Sequence, residues 1–267
     1  MKVFISADIE GIASTTLWDE THTLTQPGMA APHTRQMTLE VKAACEGAIA
    51  AGATEIVVKD AHGSATNIDP NQLPSCVRVI RGWTGHPYAM AYGIDKTFDA
   101  AMFIGYHSAA GRRGNPLSHT FTTKTNKIRL NGMICSEFLL YSWACAMEGV
   151  PTLLLSGDKM LCDDSQGIHP HLTTVAVKEG YGGATISLNP ALACEKIREA
   201  AEKALAPGFS KEVPALPDHF VLELSYKESK DAVRASSYPG CELIDDTTVR
   251  FETDCFFEIL RSVRFIF

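Results

Sequence analysis

The sequence lacks paired cysteines, a basic excess, a long apolar run and any internal repeat, and each absence removes a class of function. Its eight cysteines, Cys45, Cys76, Cys135, Cys145, Cys162, Cys194, Cys241 and Cys255, are scattered without a CxxC pair. Several sit among apolar residues, so buried reduced thiols are expected in place of a disulfide framework or a zinc–cysteine site. Lys and Arg number 24 against 31 Asp and Glu, a formal net charge of -7, with a pI near 5.7. That leaves no basic footprint for neutralising phosphates, and nucleic acid is not an expected partner. No apolar run reaches the roughly 18 residues that a membrane helix needs. Asp8 and Glu10 interrupt what would be the apolar region of a signal peptide, so a cytoplasmic protein without membrane contact is expected. The GxxxxGK[ST] phosphate loop is also missing.

What is present is enough apolar chain for a full core: 267 residues, 45% hydrophobic and 21% charged. Strand-like apolar runs at 2–9, 54–59, 99–105 and 151–155 alternate with helical patterns at 35–51 and 135–148, as in βαβ units building a mainly parallel α/β sheet. Weaker strands are expected at 173–178 and 184–188, and an amphipathic helix at 191–205, led by Asn189-Pro190 and stopped at Pro207. Pro207, Pro214 and Pro217 mark a linker over 207–217. The expectation is a metal-binding catalytic domain over 1–206 and a smaller α+β portion over 218–267. In the latter, strands at 219–225 and 247–252 accompany helices at 229–234 and 256–266. The stretch 17–32, rich in Thr, Pro and Gly, reads as a long loop of the kind that often carries function.

Three apolar strands end on residues with lone pairs. The first runs into Asp8-Ile9-Glu10-Gly11, the second into Lys59-Asp60-Ala61-His62, the third into Gly105-Tyr106-His107. In a parallel sheet the C-terminal strand ends open on one edge, where ligands bind. Residues two apart on a strand point the same way, so Asp8 and Glu10 can serve one site. Imidazole with carboxylate suits zinc and similar ions, and a carboxylate can bridge two of them. Asp8, deepest in its strand end, is the candidate bridge, with Glu10 and His62 on one ion and His107 on the other. Glu137 is the expected further ligand, because a charge within Met133-Ile134-Cys135-Ser136-Glu137-Phe138-Leu139-Leu140 is costly to bury unpaired. Taken singly, each of these is as well read as a cap, a loop charge or a hydrogen-bonded histidine; the argument lies in their convergence.

His119 follows His107 by twelve residues in a loop. Spacing alone leaves it equally a surface histidine or a group that moves protons near neutrality beside a metal centre. His169 and His171 form an HxH pair, but no strand brings them to the same edge, and they are read as loop residues.

The ordered set Ser6-Ala7-Asp8-Ile9-Glu10-Gly11-Ile12, Arg35-Gln36-Met37-Thr38-Leu39-Glu40, Lys59-Asp60-Ala61-His62-Gly63, Phe103-Ile104-Gly105-Tyr106-His107, Leu117-Ser118-His119, the segment 131–137 and Ser156-Gly157-Asp158 resembles the M55 family of D-aminopeptidases. The likeness covers the first 205 residues or so well and the rest more loosely. It implies two zinc ions per subunit held at Asp8 (bridging), Glu10, His62, His107 and Glu137, with His119 as the catalytic histidine. It also implies a ring-shaped homo-oligomer, typically a decamer of two stacked pentamers. The loop over 17–32 and Lys59 depart from the family pattern, which bears on substrate preference.

The resulting expectation is an aminopeptidase that releases an N-terminal residue, such as D-Ala, from short peptides or amino-acid amides. D-selectivity comes from the resemblance and not from spacing. Two alternatives stand beside it: another dinuclear metallohydrolase, an amidase or a phosphoesterase, whose phosphate clamps would have to come from Arg78, Arg81, Arg112 or Arg113; and a metal-binding oligomer without catalysis.

Overall fold

Alternation between the two faces of a sheet dictates the architecture. In the computed structural model, which describes residues 1–267, β1 (Lys2–Ala7) is followed by α1 (Pro27–Ala50), β2 (Glu55–Asp60), β3 (Val77–Ile80) and β4 (Ala100–Tyr106). Next come β5 (Thr125–Leu130), β6 (Met133–Ile134), α2 (Glu137–Met147), β7 (Thr152–Asp158), α3 (Lys159–Asp164), β8 (Thr173–Tyr181), β9 (Ala184–Ser187) and α4 (Pro190–Ala204). The chain closes with β10 (Phe220–Tyr226), α5 (Ser229–Ala235), β11 (Cys241–Leu243), β12 (Thr248–Thr253) and α6 (Phe256–Ile266).

Seven strands form one sheet in the order β3-β2-β1-β4-β7-β8-β9, parallel except for the β8–β9 hairpin. The mainly parallel α/β expectation therefore holds. Val3, Ile5 and Ala7 of β1, with Val58 of β2 and Ile104 of β4, pack under α1 and α4. Phe4 and Phe103 face the other way, into a core shared with α2 and α6. Burying a side chain such as Ile5 or Phe103 completely contributes roughly 1.5–3 kcal/mol. α1 and α4 approach closely at Gly47, where a Cβ would lie 2.2 Å from the Arg198 carbonyl oxygen and 2.8 Å from the Ala201 Cβ.

A second, antiparallel sheet runs β11-β12-β10-β5-β6. It joins two distant stretches of chain, since β10 pairs with β5 through Leu222↔Leu130 and Leu224↔Ile128. Those four apolar residues belong to the same core as Phe4 and Phe103. Residues 207–217 form neither helix nor strand.

The expected loop over 17–32 needs correction at its C-terminal end, because α1 begins at Pro27 and not near Arg35. Proline suits the first helical position, where its missing N–H would have no partner. Pro32 is tolerated within the helix because it lies on the exposed side, where water can satisfy the carbonyl it frees. All eight cysteines are free thiols; Cys45, Cys135, Cys145, Cys162 and Cys241 are buried, Cys76 and Cys194 half-buried, and Cys255 exposed.

Candidate metal centre

β1 lies between β2 and β4, with Ala7 level with Asp60 on one side and Ile104 on the other. The three strand ends picked out in the sequence therefore leave the sheet side by side. Asp8 continues the pairing by donating its N–H to the Ile104 carbonyl (2.9 Å), and Gly11 does so to Gly105 (2.8 Å). Gly11 has to be glycine, since a Cβ there would fall 1.7 Å from the Tyr106 carbonyl oxygen.

After β2, the Asp60 carboxylate accepts from the backbone N–H groups of Asn67 (2.6 Å) and Ile68 (2.8 Å), which shapes the loop carrying His62. Glu137 opens α2 behind the Ser136 cap, whose hydroxyl accepts from the Leu139 N–H at 3.1 Å. A carboxylate in a helix's first turn is favoured by the helix dipole.

These elements bring Asp8, Glu10, His62, His107, His119 and Glu137 together, all of them buried or half-buried. Asp8, Glu10 and His62 offer ligand atoms within 4.8 Å of one another, and so do His107, His119 and Glu137. Asp8 links the two groups. Its Oδ1 is 3.3 Å from His62 Nδ1 and its Oδ2 is 3.4 Å from His107 Nε2. His62 Nδ1 is also 3.1 Å from Glu10 Oε2, and His107 Nε2 is 3.4 Å from Glu137 Oε2.

Backbone carbonyls decide which imidazole nitrogens are free, because a carbonyl can only accept. His62 Nε2 lies 2.8 Å from the Thr21 oxygen, His107 Nδ1 3.0 Å from the Ser108 oxygen, and His119 Nδ1 2.8 Å from the Leu117 oxygen. Each of these nitrogens must carry the hydrogen. The opposite nitrogen then turns a lone pair towards carboxylate oxygens: His62 Nδ1 and His107 Nε2 as above, and His119 Nε2 at 3.8 Å from Glu137 Oε1. His107 Nε2 and Glu10 Oε2 are buried without a hydrogen bond. A positive charge is needed between these nitrogens and the carboxylate oxygens, either a proton on each imidazole or a metal ion in its place, and mixed imidazole and carboxylate donors fit zinc or a similar divalent ion.

The electrostatics agree. Burial alone would push His62 and His107 down, but Glu10 and Asp8 hold the first, and Glu137 and Asp8 the second, well above the ordinary imidazole value. Burial would raise Glu10 and Glu137, yet the neighbouring histidines hold both below the usual carboxylate value. Asp8 is raised, by burial and then by the charge of Glu10. Positive charge is what this cluster is built to receive.

Several residues that spacing did not single out support the cluster. Lys178 on β8 is buried and donates to the carbonyl oxygens of Glu10 and Thr15. Burial brings its ammonium down to about 8 against the opposing pull of Asp158, Glu10, Glu40 and Glu20. Asn115 Nδ2 also donates to the Glu10 carbonyl (2.8 Å) and reaches Asp158 (3.3 Å), which in turn accepts from the Ser108 N–H (2.6 Å). Lys59, noted above as a departure, is buried and donates to the carbonyls of Asp60 and Gly82 (2.9 Å). Trp18, from the loop before α1, sets its ring edge-on to His119 with centroids 5.1 Å apart. His169 and His171 lie outside the cluster: neither lines the pocket above it, which measures about 660 Å³. His169 is buried and His171 exposed.

The family model Peptidase M55, described as D-aminopeptidase, matches residues 1–265 of the chain. The D-aminopeptidase of Bacillus subtilis (strain 168) is 28% identical over 265 residues, covering 98% of this chain and 95% of its own. Among solved structures, the Zn-dependent D-aminopeptidase DppA from Bacillus subtilis, a self-compartmentalizing protease, superposes with a TM-score of 0.87 at 27% identity. That match covers 100% of this chain and 96% of the other.

Proposed function

The chain belongs to the M55 family of D-aminopeptidases and is thereby a metallo-aminopeptidase; we propose that it releases N-terminal D-amino acids from short peptides or amides using two zinc ions. One ion is assigned to Glu10 and His62, the other to His107 and Glu137, with Asp8 shared between them. The observation that carries this reading is the split of the Asp8 carboxylate, one oxygen towards His62 and the other towards His107, across imidazoles whose remaining nitrogens are tied to backbone carbonyls. Zinc is supported by the Zn-dependent relative of the same fold.

Bound there, the ions supply Lewis acidity for the scissile carbonyl and lower the pKa of water towards 7. The protein supplies the rest. Water adds its oxygen to the carbonyl carbon, the C–N bond breaks, and the leaving nitrogen takes a proton. His119 is placed to deliver that proton or to steady the oxyanion: its Nδ1 is tied to the Leu117 carbonyl and Trp18 closes over its edge, which leaves Nε2 to exchange protons. The buried setting of Asp8, Glu10 and Glu137 strengthens each of these interactions by excluding water.

The self-compartmentalizing relative supports assembly of this chain into a homo-oligomeric ring as well. Exposed apolar side chains suited to such contacts include Leu24 (77% exposed), Tyr181 (83%) and Ile186 (75%). The test of the activity is metal analysis of the purified protein with a release assay on D-Ala and L-Ala amides. Two zinc ions per chain and D-Ala release support the reading; protein that turns over equally well without metal contradicts it.

A further inference from the structure

The pocket over the centre is acidic at its base, where Asp8, Glu10 and Glu137 converge, and Arg264 is its only Lys or Arg. Arg264 sits in the last turn of α6, exposed to solvent. Other cations of this region are engaged: Arg261 pairs with Glu258 at 3.0 Å, and Arg234 donates to the carbonyls of Phe265 and Ile266. No carboxylate of the chain pairs with Arg264.

The position of Arg264 along the pocket follows from the packing of α6. Phe121, two residues after His119, sets its ring against Phe267 at 5.1 Å, and its N–H donates to Glu137 Oε1 at 2.6 Å. Phe267 is one turn beyond Arg264. The end of α6 is thus attached to the segment that carries His119. Where His119 delivers the proton to the leaving nitrogen, one of the two roles given above, the leaving group extends along this side of the pocket. In a dipeptide, the first charge met beyond that nitrogen is the α-carboxylate of the released amino acid.

We propose that Arg264 binds the free C-terminal carboxylate of the peptide substrate, making the enzyme selective for very short peptides with an unblocked C-terminus. A guanidinium suits this role because its planar fork meets both carboxylate oxygens at once. The proposal rests on the aminopeptidase reading.

The zinc-loaded protein is assayed on D-alanyl-glycine and on the C-terminal amide of the same dipeptide, as wild type, Arg264→Leu and Arg264→Lys. Wild type is expected to show the lower KM for the free acid. Arg264→Leu should raise KM for the acid roughly 10- to 100-fold, the scale for a lost charge-assisted pair, with kcat changed less than about threefold. The amide should be cleaved equally well by wild type and Arg264→Leu, and Arg264→Lys should fall between them on the acid. Equal effects on acid and amide, or no effect on either, overturn the subsite while leaving the aminopeptidase reading intact. Failure of the wild type to cleave either compound overturns that reading and the subsite with it.

Discussion

The imidazole rings of His107 and His119 stack face to face, with centroids 4.3 Å apart and planes within 7° of parallel. One is assigned to metal and the other to proton transfer, although both reach Glu137. His119→Ala separates these roles. If His119 acts mainly in the transition state, the variant keeps two metal ions per chain and loses about 10²- to 10⁴-fold in both kcat and kcat/KM. Elemental analysis beside steady-state kinetics reads both quantities. Loss of one ion would make His119 a ligand.

Removing the shared carboxylate should do more damage than removing either histidine. Asp8→Ala takes an oxygen from both halves of the centre, since Oδ1 faces His62 and Oδ2 faces His107. His62→Ala and His107→Ala each deplete one half. Metal content after dialysis is expected near zero ions for Asp8→Ala and near one for each histidine variant. An Asp8→Ala protein that retains a full complement would exclude the bridge.

The strand ends were legible because a period-two apolar run that stops on Asp, Glu or His leaves few interpretations, and β1, β2 and β4 ended within a residue or two of the expected limits. β5 was not legible. Its sequence Thr-Asn-Lys-Ile-Arg-Leu places polar side chains outward and only Thr125, Ile128 and Leu130 inward, so it lacks an apolar run. Its partner β10 lies about 90 residues further on in the chain, a pairing that no local pattern encodes. The supporting lysines were hidden for another reason. A lysine within a strand reads as a solvated residue, and the burial of Lys59 and Lys178 emerges only once carbonyls from remote loops converge on their ammonium groups. The start of α1 is obscured because prolines at 27 and 32 have the composition of a loop, whereas the first is a helix-start residue.

Lys178 should influence the metal without touching it. Its ammonium holds the carbonyls of Glu10 and Thr15, and so sets the turn from which the Glu10 carboxylate projects. Lys178→Met keeps the length of the side chain and removes the donors. Supporting residues of this kind typically contribute 10- to 100-fold in metal affinity or activity. Competition with a zinc chelator should show weakening on that scale, greater for the Glu10 half than for the His107 half. Unchanged affinity would reduce Lys178 to a packing residue.

His169 should set part of the acid limit of stability. Both of its ring nitrogens are buried without a partner and its ring meets Phe138 at 6.0 Å. Burial brings its pKa down from 6.5 to about 4. Between those values the unfolded chain binds a proton here that the folded chain does not, so stability falls as pH drops from about 6.5 to about 4 and is fully present above 6.5. A shift of that size corresponds to roughly 3 kcal/mol. His169→Phe removes the titrating group while keeping a ring against Phe138. The variant's unfolding free energy, measured in denaturant at pH 7.5 and at pH 4.5, should drop less on acidification than that of the wild type. Identical pH dependence in the two proteins would show that His169 is already protonated, or already hydrogen-bonded, in the folded state.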